Sequence, residues 1–295
     1  MWGGLTSAAA EDNNVCRNPY QKEKEANVNL FDLSGEIAVV IGGTGVLGGA
    51  IAEGLAVAGA KAAILGRNQH RGDAKAKSIR NNGGIAEFFV ADALDRRSLK
   101  FARESVTERF GLPTILVNAA GGNDPRVNVT AEHPFEKITV DDWRENFDLN
   151  LVGGVLSPCQ EFGPAMRENH KGSIINIASV SGHLPLSRVA AYSAAKADLL
   201  NLTRFLAREW ALDNIRVNSI TPGFFPGEQN RRLLFNDDGT VTPRGQEILN
   251  HTSMKRFGIP SELAGAAIFL ASEKASAFVT GIDLRVDGGF LSQTI

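Results

Sequence analysis

Tyr192 and Lys196, in the run Tyr192-Ser193-Ala194-Ala195-Lys196, stand four residues apart. On a helix that spacing puts both side chains on one face. A phenol ordinarily loses its proton near pH ~10, and an ammonium beside it favours the phenolate, bringing it toward acid–base work at neutral pH. On this reading Tyr192 trades the proton and Lys196 lowers its pKa. A tyrosine and a surface lysine at this spacing also occur without any chemistry, so the pair needs a setting.

A second cluster supplies one. Gly42-Gly43-Thr44-Gly45-Val46-Leu47-Gly48 follows an apolar run and precedes an alanine-rich stretch, which places a glycine-rich turn between a strand and a helix. Gly43, Gly45 and Gly48 fit G-x-G-x-x-G. Glycines let a backbone approach a pyrophosphate, and the free N–H groups of a helix N-terminus attract it. The alternative is a turn that merely needs positive φ. The second apolar run ends in Leu65-Gly66-Arg67-Asn68, without the acidic residue that holds the adenosine ribose of NAD. Gly66 leaves room there, and the Arg67 guanidinium can pair with a 2′-phosphate, so the lean is to NADP over NAD. Asp92, with Ala93 beside it after the third run, is a candidate for the adenine ring or for capping the next helix. Lys196 would then also hold the nicotinamide ribose.

These residues need a scaffold of repeated βα units. From Glu36 onward short β-branched runs alternate with helical stretches. Strands are expected at Ile37–Ile41, Lys61–Leu65, Ile85–Val90, Thr114–Val117, Gly172–Ile177, Ile215–Ile220 and Ile282–Val286. Helices are expected at Leu47–Ala58, Gln69–Asn81, Arg96–Phe110, Val140–Glu168, Ala190–Leu212 and Ser261–Ala271. The pattern predicts one α/β domain over residues 30–295: a Rossmann-type, doubly wound, seven-stranded parallel sheet with helices on both faces. Residues 224–258 break the rhythm with Pro226, Pro243 and Asp237-Asp238-Gly239, and read as a loop over a site or a solvated excursion. Residues 11–29 are rich in Glu, Asp, Asn, Lys and Gln, and residues 1–29 are expected to form a flexible extension or an oligomer-dependent arm.

Composition narrows the classes. The 295 residues carry a formal charge of −2 and no Lys/Arg run, so nucleic acid is not an expected partner. Cys16 and Cys159 lie far apart and suggest neither a disulfide framework nor metal spacing. No apolar run reaches the ~20 residues that span a bilayer, and no secretory leader is evident, so a cytoplasmic location away from membranes is expected.

Together, Tyr-x-x-x-Lys, Ser179 thirteen residues before the tyrosine, and Asn118-Ala119-Ala120-Gly121 after strand four resemble the hallmarks of the short-chain dehydrogenase/reductase family. The match covers about residues 30–290. The resemblance implies that Ser179 polarises the substrate oxygen, Tyr192 is the acid/base, Lys196 supports it, and Asn150 holds a water in the proton relay. It implies that Asn118, Ala119, Ala120 and Gly121 steady the sheet near the cofactor. It also implies that Pro222, Gly223 and Phe225 pass the nicotinamide, and that a homotetramer forms through the C-terminal region. Ile41 and Val46 depart from T-G-x-x-x-G-x-G, leaving Gly42 and Gly48 in register. Phe224-Phe225-Pro226 lacks the family's carboxamide-contacting Thr.

The segments around Asn123, Pro222 to Arg231 and His251 to Gly258 resemble the D-mannonate oxidoreductase (fructuronate reductase) branch, although Asp124 stands where that branch often has His. The branch implies a sugar-acid substrate, with Asn123, Ser181, His183, Gln229, Asn230, Arg231 and His251 as candidate contacts, and it requires no metal. The expected reaction interconverts a keto-sugar acid and its hydroxy acid, with hydride carried by the cofactor and the proton by Tyr192. A gluconate or polyol dehydrogenase and a 3-oxoacyl reductase share the core motifs. A catalytically silent NAD(P)-binding regulator is the alternative from another class.

Overall fold

The computed structural model describes residues 29–228 and 230–294. The expectations for residues 1–28, and Gln229, lie outside the described residues.

Strand β1 (Ile37–Ile41) is buried along its whole length, as a strand covered on both faces must be. Ala38 and Val40 point into one core, while Ile37, Val39 and Ile41 point into the other. Around it run α1 (Val46–Val57), β2 (Lys61–Gly66), α2 (Gln69–Asn81), β3 (Ile85–Val90), α3 (Arg96–Phe110) and β4 (Ile115–Asn118). Next come α4 (Val140–Phe147), a π-helical stretch (Asp148–Leu156), α5 (Ser157–Glu168), β5 (Gly172–Ile177), α6 (Ala190–Glu209) and β6 (Ile215–Pro222). The chain ends with α7 (Arg231–Leu234), α8 (Pro243–His251), α9 (Ala264–Ala271), α10 (Glu273–Ser276) and β7 (Asp283–Val286).

The seven strands are all parallel, in the order β3-β2-β1-β4-β5-β6-β7. Helices α1, α2 and α9 cover one face of the sheet, and α3, α5 and α6 cover the other. The strand order reverses between β1 and β4, paired from Ala38↔Ile115 to Ile41↔Asn118. That reversal opens the crevice in which doubly wound folds bind ligands.

Three local expectations are corrected. The helix expected over Val140–Glu168 is interrupted by the π-helical stretch at Asp148–Leu156. The excursion at 224–258 contains α7, α8 and an antiparallel bridge from Phe235 to Val241, because Thr242 caps α8 and Pro243 starts it. The helix expected to run on to Leu212 ends at Glu209 and passes into a 3₁₀ turn, Ala211–Asp213, closed by Asn214 at φ +60°.

Candidate active site

Ser179 lies two residues beyond the end of β5, in extended backbone, and starts a 3₁₀ turn over Val180–Gly182. Its Oγ accepts from the Ser181 amide at 3.2 Å and from the Ser181 hydroxyl at 3.0 Å. Tyr192 and Lys196 occupy the first turns of α6. Lys196 is only 4% exposed, and its Nζ donates to the Ile177 carbonyl at 2.7 Å, which pins α6 to the strand that delivers Ser179.

Burial pulls the Lys196 ammonium down to about 8. It pushes the Tyr192 phenol above its ordinary value, while the neighbouring Ser179 hydroxyl pulls it back down. Burial, first, and the Ser179 hydroxyl, second, are the causes that act on the phenol.

Asn150 is fully buried in the π-helical stretch. Its Oδ1 accepts from the Gly122 amide at 3.0 Å, and its Nδ2 donates to the carbonyls of Gly122 and Asn146, both at 2.8 Å. A Cβ on Gly121 would meet Asn150 Oδ1 at 2.6 Å and Lys196 Nζ at 3.6 Å, so these three residues converge. Asn118 Nδ2 donates to Asn176 Oδ1 at 2.8 Å, bridging β4 and β5.

The glycine-rich turn fits a dinucleotide. Gly42 has φ +75°, and a Cβ there would lie 2.7 Å from the Ala120 nitrogen. A Cβ on Gly48 would lie 2.5 Å from the Gly42 carbonyl oxygen, so turn, helix and β4 end meet only without side chains. At the N-cap of α1, Gly45 offers no side-chain bond, which leaves the first N–H groups of the helix for a phosphate. The turn runs on through Gly43 and Thr44 into Val46 and Leu47, with Ala119 and Ala120 lining the opposite strand end.

Arg67 is exposed at the end of β2 and forms no ion pair among the described residues. Asn68 is occupied: its Oδ1 caps α2 by accepting from the Arg71 amide at 2.9 Å. Asp92 turns back on the Leu94 amide at 3.0 Å beside Ala93, and the cap of α3 is Asp95 rather than Asp92. Pro222 and Gly223 lie at the exit of β6, with Gly223 packed on the Asp287 backbone. The Phe225 ring is buried against Gly258, so this residue can offer a cofactor only its backbone.

Most of the expected substrate contacts have partners within the chain. Asn123 donates to Asn128 Oδ1 at 2.6 Å. Ser181 is spent on Ser179, and the His183 ring faces Asp283 and Thr221. Asn230 donates to the Phe225 carbonyl at 2.9 Å and accepts from the Gly227 amide at 2.7 Å, clasping its own loop. The exposed His251 packs edge-on against Phe290, with ring centroids 4.5 Å apart. Arg231 is exposed on α7.

Three contributors escaped the sequence reading. Asn146 donates to the Gly122 carbonyl at 3.2 Å, and its i,i+4 relation to Asn150 was the available signal. Arg71 lies 3.3 Å from both the Thr44 carbonyl and Glu228, linking α2, the glycine-rich turn and the loop after β6. No local pattern pairs residues 71 and 228.

The comparisons with known proteins agree with this geometry. The family profile described as Enoyl-(Acyl carrier protein) reductase matches residues 44–291. An uncharacterized oxidoreductase of Bacillus subtilis strain 168 is 43% identical over 269 residues, 88% of this chain and 96% of its own. A Haemophilus influenzae structure with bound NAD, provisionally described as a D-mannonate oxidoreductase, superposes with a TM-score of 0.83 at 36% identity, covering 89% of this chain and 97% of that one. A gluconate 5-dehydrogenase from Burkholderia cenocepacia J2315, in complex with NADP and tartrate, gives 0.80 at 34% identity, covering 90% and 98%. With its parallel sheet, glycine cradle and Ser179–Tyr192–Lys196 grouping, the chain belongs to the short-chain dehydrogenase/reductase family of NAD(P)-dependent oxidoreductases.

Proposed function

We propose that the chain oxidises and reduces a sugar acid at a CH–OH/C=O carbon, with D-mannonate and D-fructuronate as the pair. The observation that carries the chemistry is the convergence of Ser179, Tyr192, Lys196 and Asn150 beside the glycine cradle at the β1/β4 reversal. The sugar-acid class rests on the kinship with the Haemophilus and Burkholderia structures and on Arg231, exposed on α7, a charge-assisted donor for a carboxylate.

The cradle and the α1 N-terminus hold the pyrophosphate of the dinucleotide, and Arg67 takes a 2′-phosphate, which favours NADP. When bound, the nicotinamide supplies the hydride donor or acceptor. Ser179 donates a hydrogen bond to the substrate oxygen. Tyr192 gives its proton to that oxygen in reduction and removes it in oxidation. Lys196 below about pH 8 presents a buried cation that favours the phenolate. Asn150 fixes Gly122 and thereby its neighbour Gly121, which lies beside Lys196 Nζ.

A second reading, a gluconate 5-dehydrogenase, is favoured by the Burkholderia relative. One plate separates the two: loss of NADH or NADPH absorbance with fructuronate, tagaturonate, 5-ketogluconate and an acetoacetyl thioester, using Tyr192→Phe as control. Tyr192-dependent turnover of fructuronate supports the first reading, and turnover of 5-ketogluconate alone replaces it with the second. Preference for NADH in both Arg67→Gln and the parent chain removes the role given to Arg67.

A further inference from the structure

Asp283 opens β7 opposite Ser219 of β6, with its side chain only 11% exposed. Its Oδ1 accepts from Ser219 Oγ at 2.6 Å and from Thr221 Oγ1 at 2.8 Å. Its Oδ2 accepts no hydrogen bond among the described residues; His183 Nε2 lies 3.1 Å from it and is hydrogen-bonded at 3.1 Å to Thr221 Oγ1, itself a donor to Oδ1. A carboxylate in a parallel strand is expensive to desolvate, and an aliphatic side chain would serve the packing better. The acid is therefore there for what it holds.

It holds the turn that carries Ser179. The Gly182 amide donates to the Ser179 carbonyl at 2.9 Å, and the His183 amide to that of Val180 at 3.1 Å, so residues 179–183 form one unit. On one side Gly182 abuts α6, where a Cβ would come within 2.8 Å of the Lys196 carbonyl oxygen. On the other side His183 reaches Asp283. The turn is thus clamped between the helix bearing Tyr192 and Lys196 and the two last strands of the sheet.

We infer that His183 and Asp283 are positioning residues, which set the Ser179 hydroxyl against Tyr192 from the far edge of the sheet. The inference rests on the catalytic assignment of Ser179 and Tyr192 made above, and it removes His183 from the substrate contacts. A residue acting through Ser179 changes kcat, whereas a residue touching the substrate changes KM. It also moves the phenol: without the Ser179 hydroxyl, Tyr192 loses the influence that lowers its pKa.

The test uses the full chain carrying His183→Ala, His183→Gln and Asp283→Asn, with Ser179→Ala and Tyr192→Phe as references. The readouts are steady-state kinetics, cofactor affinity by nicotinamide fluorescence, and alkaline titration of tyrosine absorbance. The chain has two tyrosines, so subtracting Tyr192→Phe isolates Tyr192. His183→Ala is expected to lower kcat by about 10²-fold, the scale of a small misplacement, with cofactor affinity unchanged. Its Tyr192 titration should move upward, as in Ser179→Ala. His183→Gln, whose amide nitrogen sits near the place of Nε2, should recover most of both. If His183→Ala does not fold, Asp283→Asn, which keeps its Oδ1 acceptor, carries the same expectation.

A rise confined to substrate KM, or an unmoved Tyr192 titration with unchanged kcat, overturns the inference. So does failure of His183→Gln to recover either readout. If Ser179→Ala itself leaves turnover and titration untouched, the catalytic assignment fails instead, and the two failures are told apart.

Discussion

The Lys196 ammonium lies 5.6 Å from the centroid of the Tyr192 ring while donating to the Ile177 carbonyl, so one buried cation lies beside both the phenol ring and the strand end leading to Ser179. Because burial lowers Lys196 to about 8, the unfolded chain binds its proton more tightly than the folded one. Stability should therefore rise as pH climbs from about 8 toward 10.5, and the full penalty stands below that window. Its size is on the order of 3 kcal/mol. Urea unfolding at pH 7.5 and 9.5 checks this. The rise should be absent in Lys196→Met, which should also lose about 10²-fold or more in kcat. Equal pH slopes in the two proteins would show that Lys196 is not the group responsible.

Gly45 and Gly48 should respond differently to alanine. At Gly48 the new Cβ would meet backbone at 2.5 Å, so Gly48→Ala should lower the thermal midpoint and abolish cofactor binding together. At Gly45 the one neighbour within 4 Å is the Gly42 carbonyl at 3.2 Å, so Gly45→Ala should fold with a nearly unchanged midpoint. Its cofactor affinity should nevertheless fall by about tenfold or more, since the methyl stands where the phosphate meets the helix end. Calorimetry paired with fluorescence titration reads both quantities.

Asn150→Ala should be costly in two ways. It strands the Gly122 amide, takes from the Gly122 carbonyl the closer of its two side-chain donors, and leaves a cavity in the π-helical stretch. The expected destabilisation is about 2–3 kcal/mol. Turnover should fall further than the fraction unfolded explains, because Gly121 and Lys196 meet at the same place. A kcat that simply follows the folded fraction would reduce Asn150 to a structural residue.

Cys159 should be inert in the folded chain. It is 2% exposed, burial pushes its thiol up to about 12, and Asn118 Nδ2 lies 3.4 Å from its sulfur. A mass-resolved alkylation series should label Cys159 only as denaturant unfolds the protein. Labelling under native conditions would show that α5 opens locally.

Much of the scaffold was readable because its signals are local. β1 begins and ends where its apolar run does, since a strand buried on both faces has no polar alternation to blur its limits. Tyr192 and Lys196 were legible for the same reason, as one helix face carries both. The illegible parts depend on distant partners. Asn230 looked free for a substrate until its loop folded back on Phe225 and Gly227, and His183 until β7 brought Asp283 to it. The π-helical stretch has no composition of its own and shows only where Asn146 and Asn150 share Gly122.

The pairing of β1 with both β2 and β4 also bears on how the chain acquires its activity during synthesis. β1 meets β2 through a connection of some twenty residues, but waits for β4 until residue 115 has been made. Ser179 and Tyr192 arrive later still, on segments that pair with or cover the β4 side. A ribosome-bound chain ending near residue 110 can thus hold the glycine-rich turn without its opposite wall. The wall that Ala119 and Ala120 give the turn is added only once β4 has paired with β1.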